Sequence, residues 1–276
     1  MTERTQGVAA EVLLYLCAGL LFLLGYGFSF DSSSRFVPGP RDQTVLRVAT
    51  WNVGGFDDGR PHALRVEDVE AVARTLLELD PDLVFLQEVG GRERYSYLLR
   101  SLGAGWDGVQ SGGGDLAAFA RRGDLERFDV RSPSTRVLGV HLRSRLGVVS
   151  AVGVHAHAFS SRRRNLVVGS ALDSLREEAR SSALVFAGDL NLDLDLDKHR
   201  DLFSDDAHRD VETYNYVAER LLDAARGAGP TAEPDRRLDY VFVSEDAFEV
   251  VQAGPWKGRR VGSMDHDRVV VDLRAR

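Results

Sequence analysis

The chain has 276 residues, 43% of them hydrophobic and 28% charged, a globular composition that excludes a low-complexity or disordered chain. A net charge of −7 provides no global basic field, which disfavours tight non-specific nucleic-acid binding but not enzymatic attack on a phosphodiester. The single cysteine, Cys17, excludes an intrachain disulfide framework and a cysteine-based zinc site.

Residues 12–30, VLLYLCAGLLFLLGYGFSF, carry no charge and lie between Glu11 and Asp31. As a helix rising about 1.5 Å per residue, they would span roughly 28 Å, close to a bilayer core. Tyr26, Phe28 and Phe30 cluster near one end, where an interfacial aromatic belt would lie. No small-x-small cleavage site follows, and the segment before it is barely basic. Residues 1–31 are therefore expected to be a membrane anchor, ahead of a cleaved signal and of a buried core helix. The short tail before it places the main domain on the extracytoplasmic side; secretion after signal cleavage is the alternative. Residues 32–44, rich in Ser, Pro and Gly, read as a linker to a domain spanning 45–276.

Val45–Trp51 has the β-branched and aromatic content of a strand, with Asn52 after it and a glycine-rich loop from Gly54 to Gly59. Val66–Leu79 repeats apolar residues at a helical period and is stopped by Asp80-Pro81. Leu83–Leu86 is a short buried-strand run ending in Gln87-Glu88. Tyr95–Leu102 is expected to be helical, Leu116–Ala120 and Glu126–Val130 to be strands, and Val137–Leu142 with Leu146–Val154 to form a hairpin ending in His155. A helix over Arg162–Glu178 precedes the apolar run Ala183–Ala187, which closes in Gly188-Asp189-Leu190-Asn191. Tyr214–Arg226 is expected to be helical, and Leu238–Val243, Asp246–Gln252 and Arg268–Leu273 to be strands. Strands outnumber helices in mixed order, which favours two packed mixed sheets with flanking helices over one parallel sheet.

Polar residues recur where these strands end: Asn52, Glu88, His155, Asp189 with Asn191, Asp239, and Asp265 with His266. In an extended chain Asp189 and Asn191 would share a side, an acceptor beside a donor, suited to holding a water against a reacting centre. The bland alternative is an ordinary Asp/Asn turn. Glu88, Asp265 and the amide oxygen of Asn52 are the hard oxygen ligands that a divalent cation takes. An oriented histidine is the base that an attacking water needs.

Six blocks carry a resemblance: Ala49-Thr50-Trp51-Asn52, Leu86-Gln87-Glu88-Val89, Val154-His155, Gly188-Asp189-Leu190-Asn191, Leu238-Asp239-Tyr240-Val241-Phe242 and Asp265-His266. Their order is similar to that of the endonuclease/exonuclease/phosphatase superfamily, which includes DNase I-like nucleases, neutral sphingomyelinases and inositol-polyphosphate 5-phosphatases. The resemblance implies a four-layer α/β sandwich, with two mixed β-sheets face to face and flanking helices. It also implies a Mg²⁺-dependent site, with Mn²⁺ as a possible substitute. It makes Glu88 the principal metal ligand, supported by Asn52 and Asp265. His266 resembles the general base, and Asp239 the carboxylate that orients it. Asp189 and Asn191 resemble the pair that positions the nucleophile, and His155 the histidine on the scissile phosphate. Asp223 and Thr231 fit supporting positions. Met264 stands where the last block commonly has serine.

Of Arg162–Arg164, Arg164 is the one expected to reach a substrate phosphate. His157 is expected to be a hydrogen-bonding neighbour of His155 rather than a second metal ligand. Asp193, Asp195 and Asp197 read as a solvent-exposed extended segment. The expected function is a metal-dependent phosphoesterase acting by in-line water attack. A DNA/RNA endonuclease, a lipid phosphodiesterase of sphingomyelinase type and a catalytically inactive binding module are the alternatives. The expected partners are a phosphoester substrate and, through residues 12–30, a membrane. The sequence gives no evidence for a protein partner.

Overall fold

Strands buried on both faces need an apolar residue at nearly every position, and the strand that begins at Val45 is built that way. The computed structural model describes residues 36, 37, 39, 42, 44–57, 60–194, 209–258 and 260–276. Strand β1 (Val45–Asn52) is buried throughout. Leu46 and Val48 point into one cluster, and Ala49 and Trp51 into another. A short hairpin follows, β2 (Gly55–Asp57) with β3 (Arg60–His62), where a loop was expected. Helix α1 (Val69–Leu79) ends at Asp80, whose left-handed backbone and N–H bond to the Leu76 carbonyl close the helix before Pro81.

Strand β4 (Leu83–Gln87) runs parallel to β1, and α2 (Arg92–Leu102) follows it. Strand β5 (Trp106–Gln110) escapes sequence reading because Asp107 and Gly108 interrupt its pattern; beyond Trp106 it is only half-buried. It pairs with β6 (Ala117–Arg121). Then come β7 (Asp124–Phe128), β8 (Val137–Ser144), β9 (Gly147–His155) and α3 (Ser161–Glu177), capped by the Ser160 side chain. Strand β10 (Leu184–Asp189) lies parallel to β9.

Helix α4 spans Asp210–Ala218, earlier than the expected Tyr214–Arg226. The residues after it leave the helix because Leu222 and Asp223 form a two-residue edge strand, β11. That strand pairs with β12 (Asp239–Val243), so sheet pairing overrides local helical period. Strands β13 (Phe248–Trp256) and β14 (Arg268–Ala275) complete the described chain.

The strands make two mixed sheets of six, in the orders β13-β14-β1-β4-β6-β5 and β11-β12-β10-β9-β8-β7. Val48, Phe85, Ala118, Val140, Ala151, Val185 and Val241 fill the space between the sheets. Val72, Leu76 and Leu98 of α1 and α2 cover the outer face of the first. Val168, Leu172 and Val217 of α3 and α4 cover the outer face of the second. The result is the expected four-layer α/β sandwich. Each buried Val, Leu or Phe contributes about 1.5–3 kcal/mol, so the strand ends are held rigidly.

Among the described residues no helix is long and apolar enough to cross a membrane. The anchor expected over residues 12–30, most of the linker, and Asp195 and Asp197 lie outside the described residues.

Candidate active site

One edge of the sandwich gathers the polar strand ends. Strands β1 and β4 are parallel, as are β9 and β10, so Asn52, Gln87-Glu88, His155 and Asp189 all reach the same edge. Strand β12 runs antiparallel to β10 and brings its first residue there. In register, His155, Asp189 and Asp239 stand side by side on three neighbouring strands. Asp265-His266 arrives from the segment before β14, where the Trp51 indole N–H donates to the His266 carbonyl over 3.2 Å.

Glycine permits two close approaches here. A Cβ at Gly188, with φ +148°, would overlap the Val154 carbonyl, so glycine lets β10 lie against β9 just before Asp189. A Cβ at Gly54 would overlap Glu88 Oε2.

The strand stops at Asp189. Asn191 has a left-handed φ of 50°, and its backbone N–H donates to Asp189 Oδ1 over 3.0 Å. Asp189 and Asn191 therefore come together through a side-chain-capped turn rather than an extended chain. The Asn191 amide is pinned to the Ala156 carbonyl.

Asn52 bridges the two sheets: its Nδ2 donates to Glu88 Oε1 and to Asp189 Oδ2, both over 3.0 Å. Its amide oxygen accepts the Gly54 N–H over 2.9 Å. Asn52 Nδ2 thus ties the Glu88 and Asp189 carboxylates together. Asp189 Oδ2 is approached from two sides, by His155 Nε2 at 3.8 Å and His266 Nε2 at 3.9 Å. His155 Nδ1 contacts Asp115 Oδ2 at 2.6 Å, and His266 Nδ1 contacts Asp239 Oδ2 at 2.8 Å. The Thr231 hydroxyl donates to Asp239 Oδ2 over 2.7 Å.

Negative charge is in excess. Burial raises the Glu88 carboxyl above its usual range; the Asp189 and Asp115 charges add to this, and His155 and Asn52 oppose it. Burial disfavours both imidazolium ions. At His155 the Asp115 bond and the Asp189, Asp115 and Glu88 charges outweigh it, and the net direction is upward. At His266 the Asp239 and Asp189 charges do the same. Asp239 Oδ1 is buried with no hydrogen-bond partner among the described residues.

These features suit a cation. Among the described residues, Asp189, Asp239 and His266 form a group of three whose ligand atoms all lie within 4.8 Å of one another. That triad is already joined by its own hydrogen bond, and Asp239 is fully buried. Glu88 is the more open carboxylate, 28% exposed, and lines the central cavity with Asp265. Hard oxygen donors of this kind fit a divalent ion such as Mg²⁺.

The cavity, of about 530 Å³, is lined by Asn52, Glu88, His155, Asp189, Asn191, Asp265 and His266. Residues 49–260 match the model of the endonuclease/exonuclease/phosphatase family. The chain belongs to that family. Members of the endonuclease/exonuclease/phosphatase family are phosphoester hydrolases. No curated protein sequence matches the chain. An endonuclease/exonuclease/phosphatase family protein of Bacteroides thetaiotaomicron superposes with a TM-score of 0.64 at 18% identity, covering 83% of this chain and 97% of that one. A mannosyl-6-phosphatase of the same organism gives 0.62 at 18% identity, covering 83% and 99%. An AP endonuclease from Archaeoglobus fulgidus gives 0.61 at 18% identity, covering 82% and 98%. At such identities the likeness is one of fold.

Within this family frame, Arg164 is a correction. It is 1% exposed and engages Asp210 with Nε at 2.8 Å and a terminal nitrogen at 2.9 Å. A third nitrogen caps the His157 and Ala158 carbonyls. It ties α3 to α4 and does not line the cavity. Asp193 is also corrected: it is buried, with its N–H bonded to Asp210. His157, expected beside His155, accepts the Phe159 N–H and does not line this cavity. Among the described residues the arginines that line the cavity are Arg136 and Arg236, which sequence reasoning missed. It also missed Asp115, whose one signal is the glycine run 112–114 before it. Asp223 takes Tyr214 and Arg237.

Proposed function

We propose that this chain is a divalent-metal-dependent phosphoesterase that hydrolyses a phosphodiester or phosphomonoester by in-line attack of water. One observation carries the reading: Asp189 Oδ2 stands between two histidine Nε2 atoms, each histidine backed by its own carboxylate. Asp189 and Asn191 hold the water. His266 Nε2 takes the water's proton as the new O–P bond forms and the bond to the leaving oxygen breaks. Asp239 fixes the His266 ring with its other nitrogen bonded, so that Nε2 faces the reacting centre. His155, on the opposite side of Asp189, donates from Nε2 to a phosphoryl oxygen.

Glu88 and Asp265 would hold the cation, with Asn52 setting the angle of Glu88. When bound, a divalent ion polarises the phosphoryl oxygen and offsets the carboxylate charge around both histidines.

The test is hydrolysis of bis(p-nitrophenyl) phosphate by the full chain in Mg²⁺ or Mn²⁺, with and without EDTA. Turnover that EDTA abolishes supports the reading, and no turnover with either metal returns the domain to a binding module. Glu88→Gln should shift the metal titration to higher concentration by about 10- to 100-fold; an unaltered titration removes Glu88 as a ligand.

Residues 12–30 complete the proposal as a membrane anchor with the catalytic domain on the extracytoplasmic side. Their uncharged run motivates this. Release of the chain from washed membranes without detergent would contradict it.

A further inference from the structure

The catalytic cavity shares Arg136, His155 and Phe159 with a second groove of about 590 Å³, which continues over His157, Arg163 and Leu166. The turn between β9 and α3 builds its wall. The Phe159 N–H donates to His157 Nδ1 over 3.0 Å, and the two rings meet edge to face at 6.3 Å and 82°. These contacts fix the Phe159 ring, yet 73% of the residue is exposed. A pinned aromatic with an open face, at the junction of two cavities, is a stacking platform.

Positive charge flanks that platform. The Arg163 guanidinium lies 3.2 Å from His157 Nε2. Arg136, half-exposed, reaches toward the same groove, with its Nε 3.9 Å from Asp115.

We infer that this groove is a second anion subsite: it holds a further phosphate of the substrate on Arg163 and Arg136, with the planar ring that carries it stacked on Phe159. The inference rests on the neighbouring cavity being a phosphoesterase site. It makes the preferred substrate class a phosphoester whose ring-bearing substituent has a second phosphate.

Calorimetry on the full chain in Mg²⁺, with adenosine 3′,5′-bisphosphate, adenosine 5′-monophosphate and ribose 5-phosphate, separates the contributions. The bisphosphate should bind about tenfold tighter than the monophosphate, the yield of one added charge-assisted contact. Arg163→Ala should remove that advantage and Arg163→Lys retain part of it. Phe159→Ala should remove the preference of about fivefold for the adenosine ligand over ribose 5-phosphate. Thermal melts check that each variant is folded. Equal binding of the two adenosine ligands by the wild type, or a bisphosphate advantage unchanged in folded Arg163→Ala, overturns the subsite. Hydrolysis of bis(p-nitrophenyl) phosphate is measured alongside. Activity without the binding difference refutes only the subsite, and a binding difference without activity refutes only the phosphoesterase reading.

Discussion

His155 and His266 both direct Nε2 at one oxygen of Asp189 and both give Nδ1 to a carboxylate, yet the two carboxylates sit in different surroundings. Asp239, behind His266, is 0% exposed and is backed by the Thr231 hydroxyl. Burial, with the Asp189 charge adding to it, raises Asp239 above the ordinary carboxylate range despite His266. Asp115, behind His155, is 20% exposed. Burial pushes Asp115 up as well, but the His155 bond and charge, Arg136 and the Glu88 N–H more than offset this, and the net direction is downward. The same pair of side chains is thus placed once in a dry, rigid setting and once beside a cation at the cavity rim. A dry carboxylate fixes one ring orientation and strengthens every charge near it, which suits proton removal. A carboxylate softened by Arg136 suits a histidine whose task is to hold its proton and donate a hydrogen bond.

The largest effects should come from removing the rings. His266→Ala should lower kcat on bis(p-nitrophenyl) phosphate by on the order of 10³–10⁴-fold with the fold intact, and His155→Ala by about 10²–10³-fold. Single-turnover rates with a circular-dichroism control measure both; unchanged turnover in His266→Ala removes it as the base. Next come the carboxylates. Asp239→Asn should reduce kcat by about 10²–10³-fold, because the amide can bond the wrong tautomer, and Asp115→Asn by about tenfold. If the two asparagine variants lose the same amount, the difference in burial carries no functional weight.

Asn52, Glu88, His155 and Asp189 were legible because each closes a short, continuous apolar run of the kind that a strand buried on both faces has. Once β1, β4, β9 and β10 are placed in parallel pairs, Asn52, Glu88, His155 and Asp189 must share an edge. What the pattern could not convey is orientation beyond the strand. Arg164 has the residue type for phosphate contact, but its side chain answers to Asp210, far away in sequence on another helix. Asp115 and Arg136 enter from the segments around β6 and β8, where no local period points at the cavity. The Asn52 amide could face a cation or a carboxylate equally well in sequence. Only the structure shows Glu88 and Asp189 converging on its nitrogen.

The smallest expected effect isolates the dry setting itself. Thr231 is 1% exposed; its hydroxyl donates to Asp239 Oδ2 and accepts the Leu238 and Asp239 backbone N–H groups over 3.0 and 3.1 Å. Thr231→Val keeps the shape, deletes the donor and leaves two buried N–H groups without their acceptor. Orphaned buried donors destabilise by about 1–3 kcal/mol, so the melting temperature should fall. The carboxylate that orients His266 loses one of its two supports, so kcat should drop by about tenfold or less while KM stays put. Thr231→Ser restores the hydroxyl and should recover kcat more fully than stability, because the lost methyl still leaves a gap. A Thr231→Val protein with wild-type kcat and a lowered melting temperature would make Thr231 a structural residue only, and the rigidity assigned to the His266 pair would then have to come from burial alone.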